Sequence, residues 1–406
     1  MFVQIHILQS LPPGNVNRDD TGQPKKCTFG GVTRGRISSQ CLKRNIRLSK
    51  MFESTFGEKL AKRTKFLPTL VGEELKDMKG FPADDIEGVM KGVAGLFKKE
   101  SKTEGDSKDE DTGITPQLVF IPPPFAKKIA QLVSELREKS SKAYEQFIGK
   151  AKKGKKDDAD VKKDIDAFVA EAFEARESLS IDVGLFGRMT TSNLVKDVEA
   201  ACQVAHAIST HEALVQGDYF TAMDDAQNDY LTTQLDKKGA AFLGSGDTVT
   251  FFNSAVYYKY LNVDVDALLE TLGHEHAEQA VKAVGMLIKA AALATPTGKQ
   301  NSFAAHSAPE LILVEVSGTK QPISLANAFL EPVTGNNLMA SSVEALVDYH
   351  NDFAVAYETG DTQRYVLAVG KSSKEAASKI NDAQDVKNID ALVDSVQDSV
   401  SVAEAS

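Results

Sequence analysis

The chain has 406 residues, a formal net charge of −10 at pH 7 and a hydrophobic share of 42%. This length predicts two domains, or one domain with large insertions. No run of about twenty apolar residues is present, and the N-terminus lacks the basic start and cleavage site of a signal peptide. Three cysteines without a CxxC pair favour a reducing compartment. We therefore expect a cytoplasmic protein with no membrane segment.

The charge is unevenly distributed along the chain. Residues 1–50 contain nine basic and two acidic residues, so this segment carries +7 on an otherwise acidic protein. A localised excess of one sign indicates a surface for a ligand of the opposite sign. The sequence therefore predicts one anion-binding face near the N-terminus.

The first part of the chain predicts a strand, a loop and a helical insertion. Residues 2–8 are apolar and β-branched, as in a buried strand, and residues 12–22 are dense in turn formers. Residues 55–97 have a helical pattern, followed by a charged run at 98–111. We interpret residues 98–166 as an insertion of solvated loops and helix ends.

The second part alternates between helical and strand patterns. Apolar residues at helical spacing predict an amphipathic helix over 194–208, and an Ala-rich helix is predicted over 277–294. Residues 248–260 and 311–316 are typical of strands. This alternation predicts an α+β fold. The last thirty or so residues are polar and rich in Ser and Asp, a composition that favours partial disorder.

The strongest local signal is a basic segment that includes a predicted helix over 38–50. If the helix begins near Ser39, its free N–H groups and nearby hydroxyls form an anion site. Lys43, Arg47 and Lys50 would lie on one stripe of this helix. Such groups suit the phosphates and sugars of a nucleic acid backbone. The alternative is a solvated basic helix face, which the clustering on an acidic chain makes less favoured.

A second candidate is the loop at residues 295–302. It is similar to a phosphate-binding Walker A loop, but Leu293 occupies the position of the first glycine and Gln300 replaces Ser or Thr. A nucleotide-hydrolysing loop is therefore rejected. Two interpretations remain open: a phosphate contact through Lys299, or a plain polar turn.

The histidines and paired carboxylates do not predict a metal site. His206 and His211 are five residues apart and so do not share a helix face, and His274 and His276 lack a third ligand at a suitable spacing. The Asp19–Asp20 pair is typical of a turn. No cofactor, metal or catalytic residue is predicted.

Several motifs occur in a collinear order that resembles one family. They are Asn17-Arg18-Asp19-Asp20, Phe29-Gly30-Gly31, Arg36-Ile37-Ser38-Ser39-Gln40, Gly187-Arg188-Met189, residues 204–211, residues 219–225, Gly298-Lys299-Gln300 and residues 324–329. Together they resemble the CasC family, the backbone subunit of the type I-E CRISPR surveillance complex Cascade. The resemblance runs from the first strand to about residue 335.

The resemblance implies an α+β fold shaped like a hand. Its palm would be similar to an RNA-recognition motif (ferredoxin-like), with a helical fingers insertion and a thumb hairpin. Residues 1–54 would form the N-terminal part of the palm with the basic helix, and 55–180 the fingers. Residues 181–335 would complete the palm and include the thumb around 211–225. Residues 336–406 would be a polar, partly disordered C-terminal region.

The resemblance also implies the residues that bind RNA. In the family, the palms hold the sugar-phosphate backbone, and the thumb inserts between bases and turns one nucleotide out. Residues at backbone-contacting positions are Arg18, Lys25, Arg36, Ser38, Gln40, Lys43, Arg44, Arg47 and Lys299. Arg188 and Met189 correspond to a segment wedged against the bases, and Phe220 and Thr221 to the thumb tip.

The implied function is a non-catalytic backbone subunit that oligomerises along a CRISPR guide RNA. Its partners would be the guide RNA, further copies of itself, other Cascade subunits and, through the guide, target DNA. Two alternatives were weighed. In one, Asp19 or Asp20 cleaves RNA with a metal ion, as in related type III subunits. In the other, Ser38, Ser39 and Lys299 bind a small phosphorylated ligand.

Overall fold

A computed structural model describes residues 1–97, 113–150, 159–174, 179–190, 194–219, 249–357 and 361–404. Two compact units are present. The sheet unit comprises Met1–Ser49, Val204–Asn262 and Val284–Ser406, and the helical unit comprises Lys50–Gln203 and Val263–Ala283. In the described part of the chain, no helix is long and apolar enough to cross a membrane.

Strands and helices are interspersed along the chain. The strands are β1 Phe2–Gly14, β2 Lys26–Phe29, β3 Val32–Ile37, β4 Lys62–Thr64, β5 Val119–Ile121, β6 Cys202–Val204, β7 Ala207–Ser209, β8 Gln216–Tyr219, β9 Val249–Asp264, β10 Leu311–Ser317, β11 Thr362–Ala368 and β12 Ala383–Asp385. The helices are α1 Ser39–Arg47, α2 Lys50–Phe56, α3 Leu67–Asp77, α4 Ile86–Leu96, α5 Pro123–Lys139, α6 Ser141–Phe147, α7 Ala159–Glu174, α8 Ile181–Phe186, α9 Val265–Leu272, α10 Ala277–Leu293, α11 Gln300–Phe303, α12 Leu338–Tyr357, α13 Lys371–Ala377 and α14 Ile389–Glu404. This mixed composition confirms the predicted α+β class.

The sheet unit is built on a mixed sheet with the strand order β12-β11-β10-β1-β9-β7-β3-β2, and β8 also pairs with β9. β1 and β10 are antiparallel, with Phe2 opposite Ser317 and Leu8 opposite Leu311. β11 and β12 are parallel. The central strands β1 and β10 are buried along most of their length. Strands of a sheet that is covered on both faces have continuous apolar sequences, as these two have.

One core of the sheet unit lies between these strands and α12. Leu8 and Leu313 from the strands are buried in the same cluster as Phe329, Val343 and Leu346. The strands predicted at 2–8 and 311–316 and the helix predicted at 277–294 are confirmed as β1, β10 and α10. All three segments are long apolar runs, so the pattern in the sequence and the burial in the structure indicate the same type of element.

Two predictions about the chain after residue 193 are wrong. The helix predicted over 194–208 is replaced by β6 and β7. Apolar spacing there also fits a strand, and pairing of β7 with β9 decides the outcome. The C-terminal region was expected to be partly disordered, but its described residues form α12, β11, α13, β12 and α14. Its few apolar residues recur at regular spacing, and those of α14 at Leu392, Val396 and Val400 are fully buried.

The helical unit has its own core, formed mainly by α3 to α7. Phe125 and Phe173 pack edge to face at a centroid distance of 5.6 Å, as do Phe147 and Phe168 at 5.2 Å. A two-stranded ribbon pairs β4 with β5. The boundaries predicted for palm and fingers remain predictions, although residues 181–203 and 263–283 group with the helical unit rather than with the sheet.

Candidate nucleic-acid interface

The loop from Asn15 to Lys25 is fastened to the strand and helix that follow it. Lys25 N donates to Asn17 O at 2.9 Å, and Arg36 N donates to Lys25 O at 2.9 Å. Ser38 N donates to Asn17 Oδ1 at 2.8 Å. These bonds join the loop, β3 and the start of α1 into one surface.

Asp19 closes the turn within this loop. Its Oδ1 accepts hydrogen bonds from Thr21 N at 2.9 Å, Thr21 Oγ1 at 2.7 Å and Gln23 N at 3.0 Å. The hydrogen bond from the Thr21 hydroxyl is the main cause that holds the pKa of Asp19 below its usual range. The carboxylate therefore has a structural role in the loop, as the interpretation of Asp19–Asp20 as a turn predicts.

Helix α1 begins where the sequence predicts it. Ser38 is its N-cap, and Ser38 Oγ accepts from Cys41 N at 3.4 Å. Leu42 and Ile46 are buried on the inner face, as predicted. The first turn contains no acidic residue, so its N–H groups keep a positive potential.

The predicted stripe of cations on this helix is only partly present. α1 ends at Arg47, and Lys50 begins α2, so the stripe is not continuous. Arg47 is buried, whereas Lys43 is half-buried and Arg44 is exposed. Arg47, which the resemblance places among the RNA contacts, is buried next to Ile46, and its contact with RNA remains a prediction.

Lys25, Arg36, Arg44 and His206 form what we call the cation face. Arg36 Nη1 lies 3.0 Å from His206 Nδ1, and the pairing of β3 with β7 brings these side chains together. The charges of Lys25 and Arg44 both act on the Cys41 thiol, whose pKa is raised overall by burial. In the described part of the chain, none of the three Lys and Arg residues lies within ion-pair distance of a carboxylate. The surface is therefore left with an uncompensated positive charge.

The second candidate loop packs against the first. A Cβ at Gly298 would lie 2.6 Å from Val16 O and 3.0 Å from Asn15 O, so only glycine permits this approach. The next residue, Lys299, is exposed and has a left-handed backbone with φ of 52°. The fold thus brings Lys299 close to the loop that carries Arg18, which is also exposed.

The Gly187-Arg188-Met189 segment belongs to the helical unit. Arg188 is buried, and its guanidinium donates to Lys196 O at 3.1 Å and to Phe120 O at 3.3 Å. These donors hold the local backbone, and the predicted contact of Arg188 with RNA remains a prediction. Met189 is 93% exposed at the rim of a groove of about 670 Å³ that Leu118 also lines.

Of the segment predicted to form the thumb, residues 211–219 are described and residues 220–225 are not. β8 is exposed and pairs antiparallel with β9, with Gln216 opposite Phe252 and Tyr219 opposite Val249. Phe220 and Thr221, the predicted thumb tip, lie outside the described residues. A β-hairpin base is thus present where the sequence analysis expected the thumb.

Two residues of this region make contacts that the sequence does not predict. His206 was dismissed as incidental, although the motif containing it was part of the family resemblance. Arg34 is fully buried and donates to Phe29 O at 3.1 Å, Ser209 O at 3.0 Å and Phe329 O at 2.7 Å. Its basic character gave no signal of this, because two of its three partners are carbonyl groups far away in the sequence.

Arg34 supports the hairpin of β2 and β3 beneath the cation face. Gly30, in the turn of that hairpin, has φ of 61°, and a Cβ there would collide with the Leu330 carbonyl group. The turn therefore requires glycine. Together, the close approach at Gly30 and the buried guanidinium keep β3 in position, and β3 carries Arg36.

The fold and the cation face define an α+β protein with a surface suited to the phosphates of a nucleic acid. The chain belongs to the CT1975-like protein family, whose model matches residues 3–395. It is similar to a chain of a CRISPR RNA-guided surveillance complex in a pre-nicking state, with 28% identity, a TM-score of 0.77 and coverage of 98% of this chain and 100% of that one. A chain of another CRISPR RNA-guided surveillance complex matches with 25% identity, a TM-score of 0.68 and coverage of 97% and 100%. No curated protein sequence matches it. The resemblance to CasC-type backbone subunits is thereby confirmed.

Proposed function

We propose that this chain is the repeating, non-catalytic backbone subunit of a CRISPR RNA-guided surveillance complex. Copies line up along the guide RNA and hold its sugar-phosphate backbone without reading the sequence. The observation that carries the proposal is the cation face, which presents Lys25, Arg36 and Arg44 without compensating carboxylates in the described part of the chain. Phosphate contacts of this kind position a nucleic acid, and base pairing by the guide then selects the DNA target.

The wedge residues have a separate role in the proposal. Met189 and the thumb tip at Phe220 and Thr221 enter between bases and turn nucleotides out of the stack. The high exposure of Met189 supports this role, because an apolar side chain of that size is usually buried. Unstacking a step costs a few kcal/mol, which the added protein contacts offset.

The first test is filter binding of the full chain to a guide-length RNA across a salt series. We compare the wild type with Lys25→Ala/Arg44→Ala, and with Lys379→Ala/Lys387→Ala, which removes two exposed cations from elsewhere in the sheet unit. Each lost phosphate contact on single-stranded RNA lowers the salt slope by about 0.7, so the first variant should lose about 1.4 and the control nothing. Equal slopes for all three proteins would place the RNA elsewhere.

The second test addresses assembly. Mass measurements of complexes formed on RNAs of increasing length should show one added copy for each fixed increment of nucleotides. A single copy on every RNA would contradict the proposed assembly of copies along the guide.

The metal-dependent cleavage alternative is tested in the same complexes by adding complementary RNA and magnesium. Regularly spaced cuts that disappear in Asp19→Asn would overturn the non-catalytic assignment.

A further inference from the structure

His206 and Arg36 make an unusual contact on the cation face. Arg36 Nη1 lies 3.0 Å from His206 Nδ1, and both side chains are basic. A guanidinium can only donate, so Nδ1 must accept, and the imidazole is then neutral with its proton on Nε2. His206 is exposed at the surface. A neutral histidine therefore occupies the acceptor position that a phosphate oxygen would take beside Arg36.

The arginine is held in place but keeps donors for a ligand. Arg36 N donates to Lys25 O at 2.9 Å, which fixes the backbone. Its Nε is buried and has no hydrogen-bond partner among the described residues. Because a guanidinium has five N–H groups, one bond to His206 leaves most of its donor capacity unused.

The charged groups that act on His206 are cations. Partial burial of the ring is the largest cause that lowers the pKa of His206, followed by the charge of Arg36 on β3 and that of Lys25 in the preceding loop. β7 pairs on its other edge with β9, where the Tyr258 hydroxyl accepts from Leu325 N and the Tyr260 hydroxyl donates to Gln4 Oε1. In the free protein, therefore, the surroundings of His206 oppose its protonation.

We propose that Arg36 and His206 form a phosphodiester subsite, in which an RNA phosphate replaces His206 as the acceptor for Arg36 and His206 takes up one proton. The proposal deepens the proposed function, on which it rests. Protonated Nδ1 becomes a donor, so both side chains then donate to the same phosphate group. The proton comes from solvent, and the negative phosphate offsets the repulsion between the two cations. Each copy that binds takes up one proton.

The consequence is a pH-dependent affinity with a defined sign. A group that binds a proton more strongly in the complex than in the free protein makes binding tighter as the pH falls. As the pH falls from 8 to 6, the RNA affinity of each copy should rise by up to about tenfold per pH unit. The rise is confined to the window between the pKa of His206 in the free protein and its pKa in the RNA complex. His206→Gln keeps a hydrogen-bonding side chain but cannot titrate, so its affinity should lose this dependence.

The experiment measures RNA affinity at constant ionic strength from pH 8 to pH 6 for the full chain. His206→Gln is compared with His274→Gln, which removes an exposed histidine in the helical unit. His206→Lys carries a permanent charge, and it should bind at pH 8 about as the wild type binds at pH 6. Calorimetry in buffers of different ionisation enthalpy should detect close to one proton per copy for the wild type and the His274 variant.

Two outcomes are distinguishable. If the wild type binds RNA with the predicted salt slope but with the same pH dependence as His206→Gln, the subsite is overturned and the proposed function stands. If the wild type binds no RNA at any pH, both are overturned. Matching thermal midpoints for the wild type and His206→Gln would establish that the loss of pH dependence is not a loss of folding.

Discussion

The cation face and the cluster around Glu315 are both rich in basic side chains and belong to the same unit, but they are neutralised differently. In the Glu315 cluster, Glu315 Oε1 accepts from His350 Nε2 at 3.1 Å and from Arg364 Nε at 3.0 Å, and Oε2 lies 3.4 Å from His6 Nε2. On the cation face, the counter-charge has to come from another molecule. The position of the carboxylates, rather than the number of cations, therefore decides whether a basic cluster is neutralised within the fold.

The difference follows from strand register. Glu315 on β10 lies directly opposite Gln4 of β1 and Arg364 of β11, so the sheet brings an acid and a base together inside the fold. Arg36 on β3 lies opposite Ile208 of β7, and its nearest polar neighbour is a histidine. Burial alone would raise the pKa of Glu315, but its hydrogen bonds with His350 and His6 and their charges lower it below its ordinary value.

The largest expected effect comes from removing the internal counter-charge. Glu315→Gln leaves Arg364 buried without its carboxylate, so unfolding in urea should become about 3–5 kcal/mol easier. Glu331→Gln, at an exposed position, is the control and should stay within about 0.5 kcal/mol of the wild type. If Glu315→Gln lowers the free energy of unfolding by less than about 1 kcal/mol, the carboxylate of Glu315 does not stabilise the cluster.

A buried lysine in the same unit has a carbonyl group rather than a carboxylate as its hydrogen-bond partner. Lys259 Nζ donates to Ala291 O at 3.1 Å in the last turn of α10, and burial lowers its pKa to about 8. Above that pH the folded state has released a proton that the unfolded state still holds up to about pH 10. The free energy of unfolding should therefore rise with pH across this window.

The measurement compares urea unfolding of the wild type and Lys259→Met at pH 8 and pH 9.5. The wild type should gain roughly 1–2 kcal/mol relative to the variant over this interval. The upper limit avoids the range in which the buried tyrosines of β9 titrate. Parallel pH dependences for the two proteins would show that Lys259 is not the titrating group.

The smallest effect on stability comes from giving the cation face its own carboxylate. Gln40 is exposed in the first turn of α1, where an acid is favourable to the helix dipole. Gln40→Glu should therefore stabilise the fold by about 0.3–1 kcal/mol while it weakens RNA binding in low salt. Gln40→Ala is the control for the lost amide. If Gln40→Glu binds RNA as tightly as Gln40→Ala, the face does not contact phosphate at this point.

The parts of the fold that sequence predicts correctly are those in which the local pattern matches burial. β1, β10 and α10 are long apolar runs, and their positions follow from the residues themselves. The region around β7 is different, because its apolar spacing fits both helix and strand, and only pairing with Tyr257 and Tyr258 of β9 decides between them. α14 was missed because its low overall hydrophobicity concealed a regular apolar face.

The candidate site is predictable to the same limited extent. The excess of basic residues in the first fifty positions located the face, and Ser38 and the inner residues of α1 followed from helix capping and periodicity. Burial of Arg188 could not be predicted, since it depends on hydrogen bonds with Lys196 O and with Phe120 O, 68 positions away. The contact between Arg36 and His206 joins residues 170 positions apart, which no local pattern reports.

The guanidinium of Arg34 also has a consequence for the order of folding. Its acceptors belong to residues 29, 209 and 329, so the hairpin that carries Arg36 is completed only by late parts of the chain. During synthesis, residue 329 must emerge from the ribosome before these contacts can form. Domains held together by local contacts can fold before the rest of the chain has been made. We expect a nascent chain that ends before residue 329 to lack the finished cation face. The cation face would then be completed only late in translation.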